Sequence, residues 1–278
     1  GCGKTVVAAA AVLAAIEGGQ QAVVMAPTEL LAEQHFRVFS GWFEKVGIKP
    51  VWLSGRISQR ERRAVCEQLS SGAARVVVGT HAVFQDDVSY YNLGLVVVDE
   101  QHRFGVAQRL ALREKGQREG SAPHQIIMSA TPIPRSLTMV MYADMDLSVI
   151  DEMPPGRQPV ETVVLPNTRR EDVQARIREA CARERRAYWV CPLIEDSDVL
   201  AVQAATSRAE ALKSELPELR IALLHGKIAS AQKDEIMDDF RQGRVDVLVA
   251  TTVIEVGVDV PEASLMVIEN AERLGLSQ

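Results

Sequence analysis

The chain has 278 residues, 47% hydrophobic and 24% charged, and its 31 basic and 37 acidic side chains leave a net charge of −6. That composition excludes disorder, and the length suits about two globular domains. No apolar run approaches the roughly 20 residues of a bilayer-spanning helix, so no membrane partner is expected, and the negative balance argues against binding nucleic acid over the whole surface.

Residues 6–16 form an unbroken apolar stretch. A secretory signal would place such a run here too, behind a basic residue like Lys4. The stretch leads instead through Glu17-Gly18-Gly19 to a second apolar segment at 22–26, so a buried, Ala-rich helix opening an α/β domain is the favoured reading. Cys2, Cys66, Cys181 and Cys191 show no C-x-x-C spacing, which suggests neither a zinc ribbon nor a disulfide framework and suits a reducing cytoplasm.

Short apolar runs then alternate with longer amphipathic stretches, the pattern of a mostly parallel sheet. Strands are predicted at 22–26, 51–53, 75–79, 95–98, 125–128 and 147–150. Met153-Pro154-Pro155-Gly156-Arg157-Gln158-Pro159 can continue neither a helix nor a central strand, so residues 1–152 form one domain, 153–159 a linker and 160–278 a second domain. Strands resume at 160–165, 188–191, 221–224, 247–250 and 265–268. Val76-Val77-Val78-Gly79-Thr80 echoes Val247-Leu248-Val249-Ala250-Thr251, which is compatible with two similar folds but is weak evidence for duplication, because buried parallel strands are all Val-rich. Arg56, Arg60, Arg62 and Arg63 form one basic cluster; Arg169, Arg170, Arg176, Arg178, Arg183, Arg185 and Arg186 form another with acids interleaved. A solvated helix face is favoured over a phosphate-tracking surface for both.

Open α/β sheets bind ligands past the C-terminal ends of their strands. In the first domain those places hold Pro27-Thr28-Glu29, Gly79-Thr80-His81, Asp99-Glu100-Gln101-His102 and Ser129-Ala130-Thr131-Pro132. Gly1-Cys2-Gly3-Lys4-Thr5 reads as the tail of a phosphate-binding loop, whose glycines turn backbone N–H groups toward phosphates, whose Lys neutralises their charge and whose Thr ligates Mg²⁺. Asp99-Glu100 supplies what that loop needs, one carboxylate for Mg²⁺ and a second to deprotonate water.

These segments, with Leu30-Leu31-Ala32-Glu33-Gln34, Arg103-Phe104-Gly105, Ile133-Pro134-Arg135 and Thr251-Thr252-Val253-Ile254-Glu255-Val256-Gly257-Val258-Asp259-Val260-Pro261, occur in the order of the superfamily 2 helicase motifs, and the resemblance covers nearly the whole chain. Residues 99–105, 144–157 and 251–261 most resemble the bacterial ATP-dependent helicases that remodel branched DNA, and Gln101 with 148–157 leans the same way. Translocases that couple transcription to repair share several of these motifs; such a motor, or a nucleotide-gated DNA clamp without unwinding activity, are the alternatives.

The resemblance implies two RecA-like parallel-sheet domains in tandem, a P-loop NTPase with the second domain incomplete, using ATP and Mg²⁺ on DNA forks and junctions. Gly1, Gly3, Lys4 and Thr5 would bind the phosphates, with Thr5 and Asp99 on Mg²⁺ and Glu100 as general base. His102, Ser129 and Thr131 would couple hydrolysis to movement. Thr28, Thr80, Thr251 and Thr252 would touch the DNA backbone, Gly257 and Asp259 would approach the nucleotide from the second domain, and His225-Gly226 resembles a position near DNA. Cys2 stands where the family usually has Ser or another small residue, and a thiol at a helix N-terminus can be reactive. The family also has an N-terminal wedge domain and a last motif bearing arginine fingers, expected before Gly1 and beyond Gln278. Loss of such a finger costs about 10³ to 10⁵ in rate, so the chain alone is expected to hydrolyse ATP negligibly.

Overall fold

The computed structural model describes residues 3–100, 122–129, 146–152, 159–192, 198–251 and 260–273. The chain divides into two compact units, Gly1–Gln158 and Pro159–Gln278.

In the first unit, β1 (Gln21–Met25), β2 (Val51–Leu53), β3 (Val76–Gly79), β4 (Leu93–Asp99) and β5 (His124–Met128) line up in the order β2-β3-β1-β4-β5, every pair parallel. Side chains alternate across a strand, and here both faces are covered. Ala22, Val24, Val78 and Val97 pack under α1 (Lys4–Glu17) and α2 (Glu29–Phe43), while Val23, Met25, Val77 and Val96 meet Leu69 of α3 (Gln59–Ser70). That is why these strands read as continuous apolar runs rather than as alternating ones. Helix α3 starts in a capping box: Ser58 Oγ accepts from the Glu61 N–H, and the Glu61 carboxylate accepts from the Ser58 N–H.

The second unit repeats the plan. Strands β6 (Arg186–Cys191), β7 (Ile221–Leu224), β8 (Val247–Thr251) and β9 (Ala263–Ile268) form an all-parallel sheet in the order β7-β8-β6-β9. Trp189, Val247 and Val249 pack with α4 (Arg170–Ala182) and α5 (Asp198–Glu215), while Tyr188 and Leu248 pack with Met237 and Phe240 of α6 (Ser230–Arg241). The two Val-rich segments that echo each other are equivalent strands: β3 lies between β2 and β1, and β8 between β7 and β6.

Three expectations are corrected. Residues 147–150 and 160–165 are irregular, not strands; Val149 is 74% and Val164 93% exposed. An apolar run becomes a strand only where a neighbouring edge accepts its hydrogen bonds, and neither run pairs with either sheet. Nor is the 6–16 stretch buried all round. Helix α1 buries Ala8, Ala9, Val12 and Ile16, and leaves Val6 and Val7 exposed.

The second arginine cluster is largely ion-paired, and Arg62 of the first is paired as well. Arg62 grips Asp87 through two hydrogen bonds of 2.7 Å. Arg176 and Arg183 both reach Glu179, and Arg178 reaches Glu218, so the second cluster is mostly a solvated, salt-bridged helix face.

Candidate functional site

Helix α1 packs on β1 and β4 and runs antiparallel to them, because a short turn joins its C-terminal end to the start of β1. Its first turn, with Lys4 and Thr5, therefore lies at the sheet edge where the strands end. Gly3 precedes it at φ 97, in the left-handed region, with nothing within 4 Å of where a Cβ would stand. Glycine is required there by the backbone, not by crowding. No side chain caps α1 and no acidic residue lies in its first turn, so the positive end of the helix is left for an anion.

The end of β4 brings the acids to the same edge. Asp99 is 8% exposed. Its Oδ2 lies 2.7 Å from Nε2 of His35 on α2, and its Oδ1 accepts the Glu100 N–H at 3.1 Å. Glu100 has φ 50, left-handed for a residue with a side chain, and its N–H also donates to the Met128 carbonyl at 2.9 Å. That bond ties the bend to the neighbouring strand β5. Ser129, the residue after β5, donates through Oγ to Glu100 Oε2 at 3.4 Å. Lys4, Thr5, Asp99, Glu100 and Ser129 thus share one edge of the first sheet.

A group of three or more His, Cys, Asp or Glu able to hold a metal by itself does not occur among the described residues. The hard oxygen donors here, a Thr hydroxyl and a buried carboxylate, suit Mg²⁺, which is usually held by one or two carboxylates together with substrate phosphates and water. The residues present fit that ion.

Three of the threonines expected on DNA, Thr28, Thr80 and Thr251, lie among the described residues. Thr28 Oγ1 accepts from the Leu31 N–H at 3.3 Å and caps α2. Thr80 is 3% and Thr251 2% exposed, and Thr80 Oγ1 has no hydrogen-bond partner. Both residues stand at the end of an interior strand with neighbours on either side, and their side chains are withdrawn from solvent. Gly1, Cys2, His102, Thr131, Thr252, Gly257 and Asp259 lie outside the described residues, as does 153–158 of the linker.

In the second unit, His225 follows β7, and its Nδ1 accepts the Lys227 N–H at 3.3 Å. Burial first, then the cationic Lys233 and Lys227, hold this imidazole below its usual range. At the end of β9, Glu269 accepts from Arg170 at 2.9 Å and pairs with Arg208 at 2.9 Å. Burial, then the Glu269 charge, pushes the nearby Cys191 thiol up to about 12, and burial, then Asp246, pushes Cys181 up to about 11. Neither thiol is a nucleophile at neutral pH.

His35 was missed by the motif reading, which stopped at Gln34. The signal was present: His35 falls on the stripe of Leu31, Ala32, Phe39 and Phe43 that α2 buries, and a titratable side chain on an apolar stripe needs a partner.

Residues 1–140 match the DEAD/DEAH box helicase family, and residues 172–276 match the helicase conserved C-terminal domain. The whole chain is 58% identical to the ATP-dependent DNA helicase RecG of Pasteurella multocida (strain Pm70) and to that of Escherichia coli (strain K12), and 46% identical to that of Aquifex aeolicus (strain VF5). It spans 40% of the length of the first two and 35% of the third. A solved structure of RecG bound to a three-way DNA junction matches 99% of this chain and 35% of its own, with TM-score 0.80 at 42% identity. Saccharomyces cerevisiae Dbp5 bound to RNA and ADP BeF3 shares the fold, with TM-score 0.61 at 17% identity over 95% of this chain and 66% of that one. The two RecA-like domains expected from the motifs are borne out, as is the likeness to the helicases of branched DNA, of which RecG is the named form. By its sequence match over 1–140 and the arrangement at the end of β4, the chain belongs to the DEAD/DEAH box helicase family.

Proposed function

We propose that the chain is the motor core of an ATP-dependent DNA helicase that remodels branched DNA, stalled forks and Holliday junctions, in repair and recombination in the bacterial cytoplasm. The observation that carries this reading is the meeting of Lys4, Thr5, Asp99, Glu100 and Ser129 at one sheet edge, in a chain so similar to RecG.

Gly3 and the first turn of α1 cradle the phosphates, and the Lys4 ammonium neutralises their oxygens. Thr5 and Asp99 would hold Mg²⁺, which when bound would offset charge on the transferring phosphate. Glu100 takes a proton from the attacking water, and Ser129 holds its carboxylate through Oε2. Ser129 thereby links the end of β5 to the reacting group, which suits the coupling role read from the motifs. Gripping phosphates rather than bases makes binding independent of sequence, as a translocase requires. Thr28 caps α2 and is a candidate DNA-backbone contact at the same helix start.

The test is ATP hydrolysis by the full-length protein that contains this chain, with three-way and four-way junctions against linear duplex, in wild type and Glu100→Gln. The proposal expects branched DNA to stimulate hydrolysis more than linear duplex, and Glu100→Gln to lose about 10² to 10⁴ in rate while still binding ATP. Equal stimulation by linear duplex, or undiminished hydrolysis in Glu100→Gln, sinks it.

A further inference from the structure

Helix α2 places one imidazole against the carboxylate at the end of β4. His35 is 5% exposed, and its Nε2 lies 2.7 Å from Asp99 Oδ2. A carboxylate has only acceptors, so the imidazole donates and Nε2 bears the hydrogen. Asp99 Oδ1 is held at the same time by the Glu100 N–H at 3.1 Å. One hydrogen bond on each oxygen fixes the plane of the carboxylate yet leaves a lone pair on each. The ring meets Phe39, one turn further along α2, edge-on, with centroids 6.2 Å apart.

The second unit supplies a contrast. Its equivalent acid, Glu269, is engaged by the guanidinium groups of Arg170 and Arg208, both within 2.9 Å. Two guanidinium groups occupy that carboxylate, whereas Asp99 meets one imidazole Nε2 and one backbone N–H.

We propose that His35 is a positioning residue for the metal site. Its Nε2–H fixes the rotamer of Asp99 so that the remaining lone pairs stay available to the cation. This rests on the reading of Asp99 as a Mg²⁺ ligand. Hydrogen-bond partners behind a metal ligand commonly change metal affinity by about 10- to 100-fold, and a buried carboxylate free to rotate loses that orientation.

The test compares His35→Leu, His35→Gln and Asp99→Asn with wild type in three measurements. These are made on the full-length protein that contains this chain: Mn²⁺ bound in the presence of ADP, followed by electron paramagnetic resonance; ADP affinity without metal; and the Mg²⁺ concentration that half-saturates hydrolysis. His35→Leu is expected to weaken both metal readouts about 10-fold or more and to leave metal-free ADP affinity unchanged. The Gln amide reaches as far along its side chain as Nε2 does, so His35→Gln restores metal binding toward wild type. Should His35→Leu fail to fold, His35→Asn takes its place, since its shorter amide falls away from Asp99. Normal metal binding in His35→Leu beside lost binding in Asp99→Asn overturns the role of His35 alone. Unchanged metal binding in Asp99→Asn overturns the metal reading of Asp99 and this proposal with it. Equal losses in Leu and Gln, with metal-free ADP affinity lost as well, mean that His35 only packs, and also overturn it.

Discussion

Glu100 and Asn270 occupy the same place in two different sheets, and both have left-handed backbone, φ 50 and φ 48. The registers align them: Ala22 pairs with Leu95 between β1 and β4 as Ala187 pairs with Leu265 between β6 and β9, and each residue lies five positions beyond its reference leucine. Asn tolerates this conformation through local hydrogen bonding, whereas Glu has no such help. The strained member of the pair is the proposed general base, and a hydrogen bond from its N–H to the Met128 carbonyl holds the bend.

Glu100→Gly and Glu100→Ala both remove the carboxylate, so both should abolish hydrolysis, but only Gly relieves the left-handed backbone. Glu100→Gly is expected to be about 1 kcal/mol more stable than Glu100→Ala. Urea unfolding of the two variants measures the difference, and equal midpoints would mean that the φ 50 bend stores no strain.

At Gly79 the constraint is space. A Cβ there would stand 1.8 Å from the Leu53 carbonyl oxygen, whereas the equivalent residue of the second sheet, Ala250 opposite Leu224, already has its methyl group. Gly79→Ala should force β2 away from β3 and cost about 3 kcal/mol. Ala250→Gly should cost only about 1 kcal/mol. Thermal unfolding of both variants ranks them, and a harmless Gly79→Ala would contradict the strand spacing.

Thr80 buries a hydroxyl that has no hydrogen-bond partner. Val has the same shape without the hydroxyl, so Thr80→Val should stabilise the first unit by about 1 kcal/mol and leave DNA affinity unchanged. A fluorescence anisotropy titration that showed weakened DNA binding would place the Thr80 hydroxyl on DNA and contradict this prediction.

In the second unit Asp246 clamps the start of β7. It accepts from the Arg220 N–H at 2.8 Å and from the guanidinium at 2.9 and 2.6 Å. Burial by itself pushes this carboxyl up, but the hydrogen bonds and charge of Arg220 outweigh it and hold it below the usual range. A carboxyl whose pKa is lower in the folded than in the unfolded chain stabilises the fold above its unfolded pKa, near 4, and the contribution disappears as pH falls through the folded value. Asp246→Asn should therefore cost about 1 kcal/mol at pH 7, reduced by the exposure of Arg220, and progressively less below pH 4. Melting curves of both proteins at pH 7 and pH 3 check the sign; a gap that widens in acid would refute it.

Much of the fold was legible because a parallel sheet covered on both faces writes each strand as a short apolar run with a polar turn after it. Strands β1, β3, β4, β6 and β8 were readable for that reason, and the polar groups past their ends marked the candidate site. The same rule misled at 147–150 and 160–165, where apolar residues have no strand edge to join. Local sequence records what a segment could bury, not whether a neighbour is there to receive it.

By itself the sequence determined the two-unit α/β plan, the family and the residue types at the nucleotide edge, because period, turn chemistry and motif spacing are local properties. Only the tertiary structure decided which of those residues act together. It joined His35 to Asp99 across 64 positions, left Ser129 on Glu100, and withdrew the Thr80 and Thr251 side chains from solvent. Those outcomes depend on which strands become neighbours, since a residue at an interior strand end is buried or aimed by chains far away in sequence.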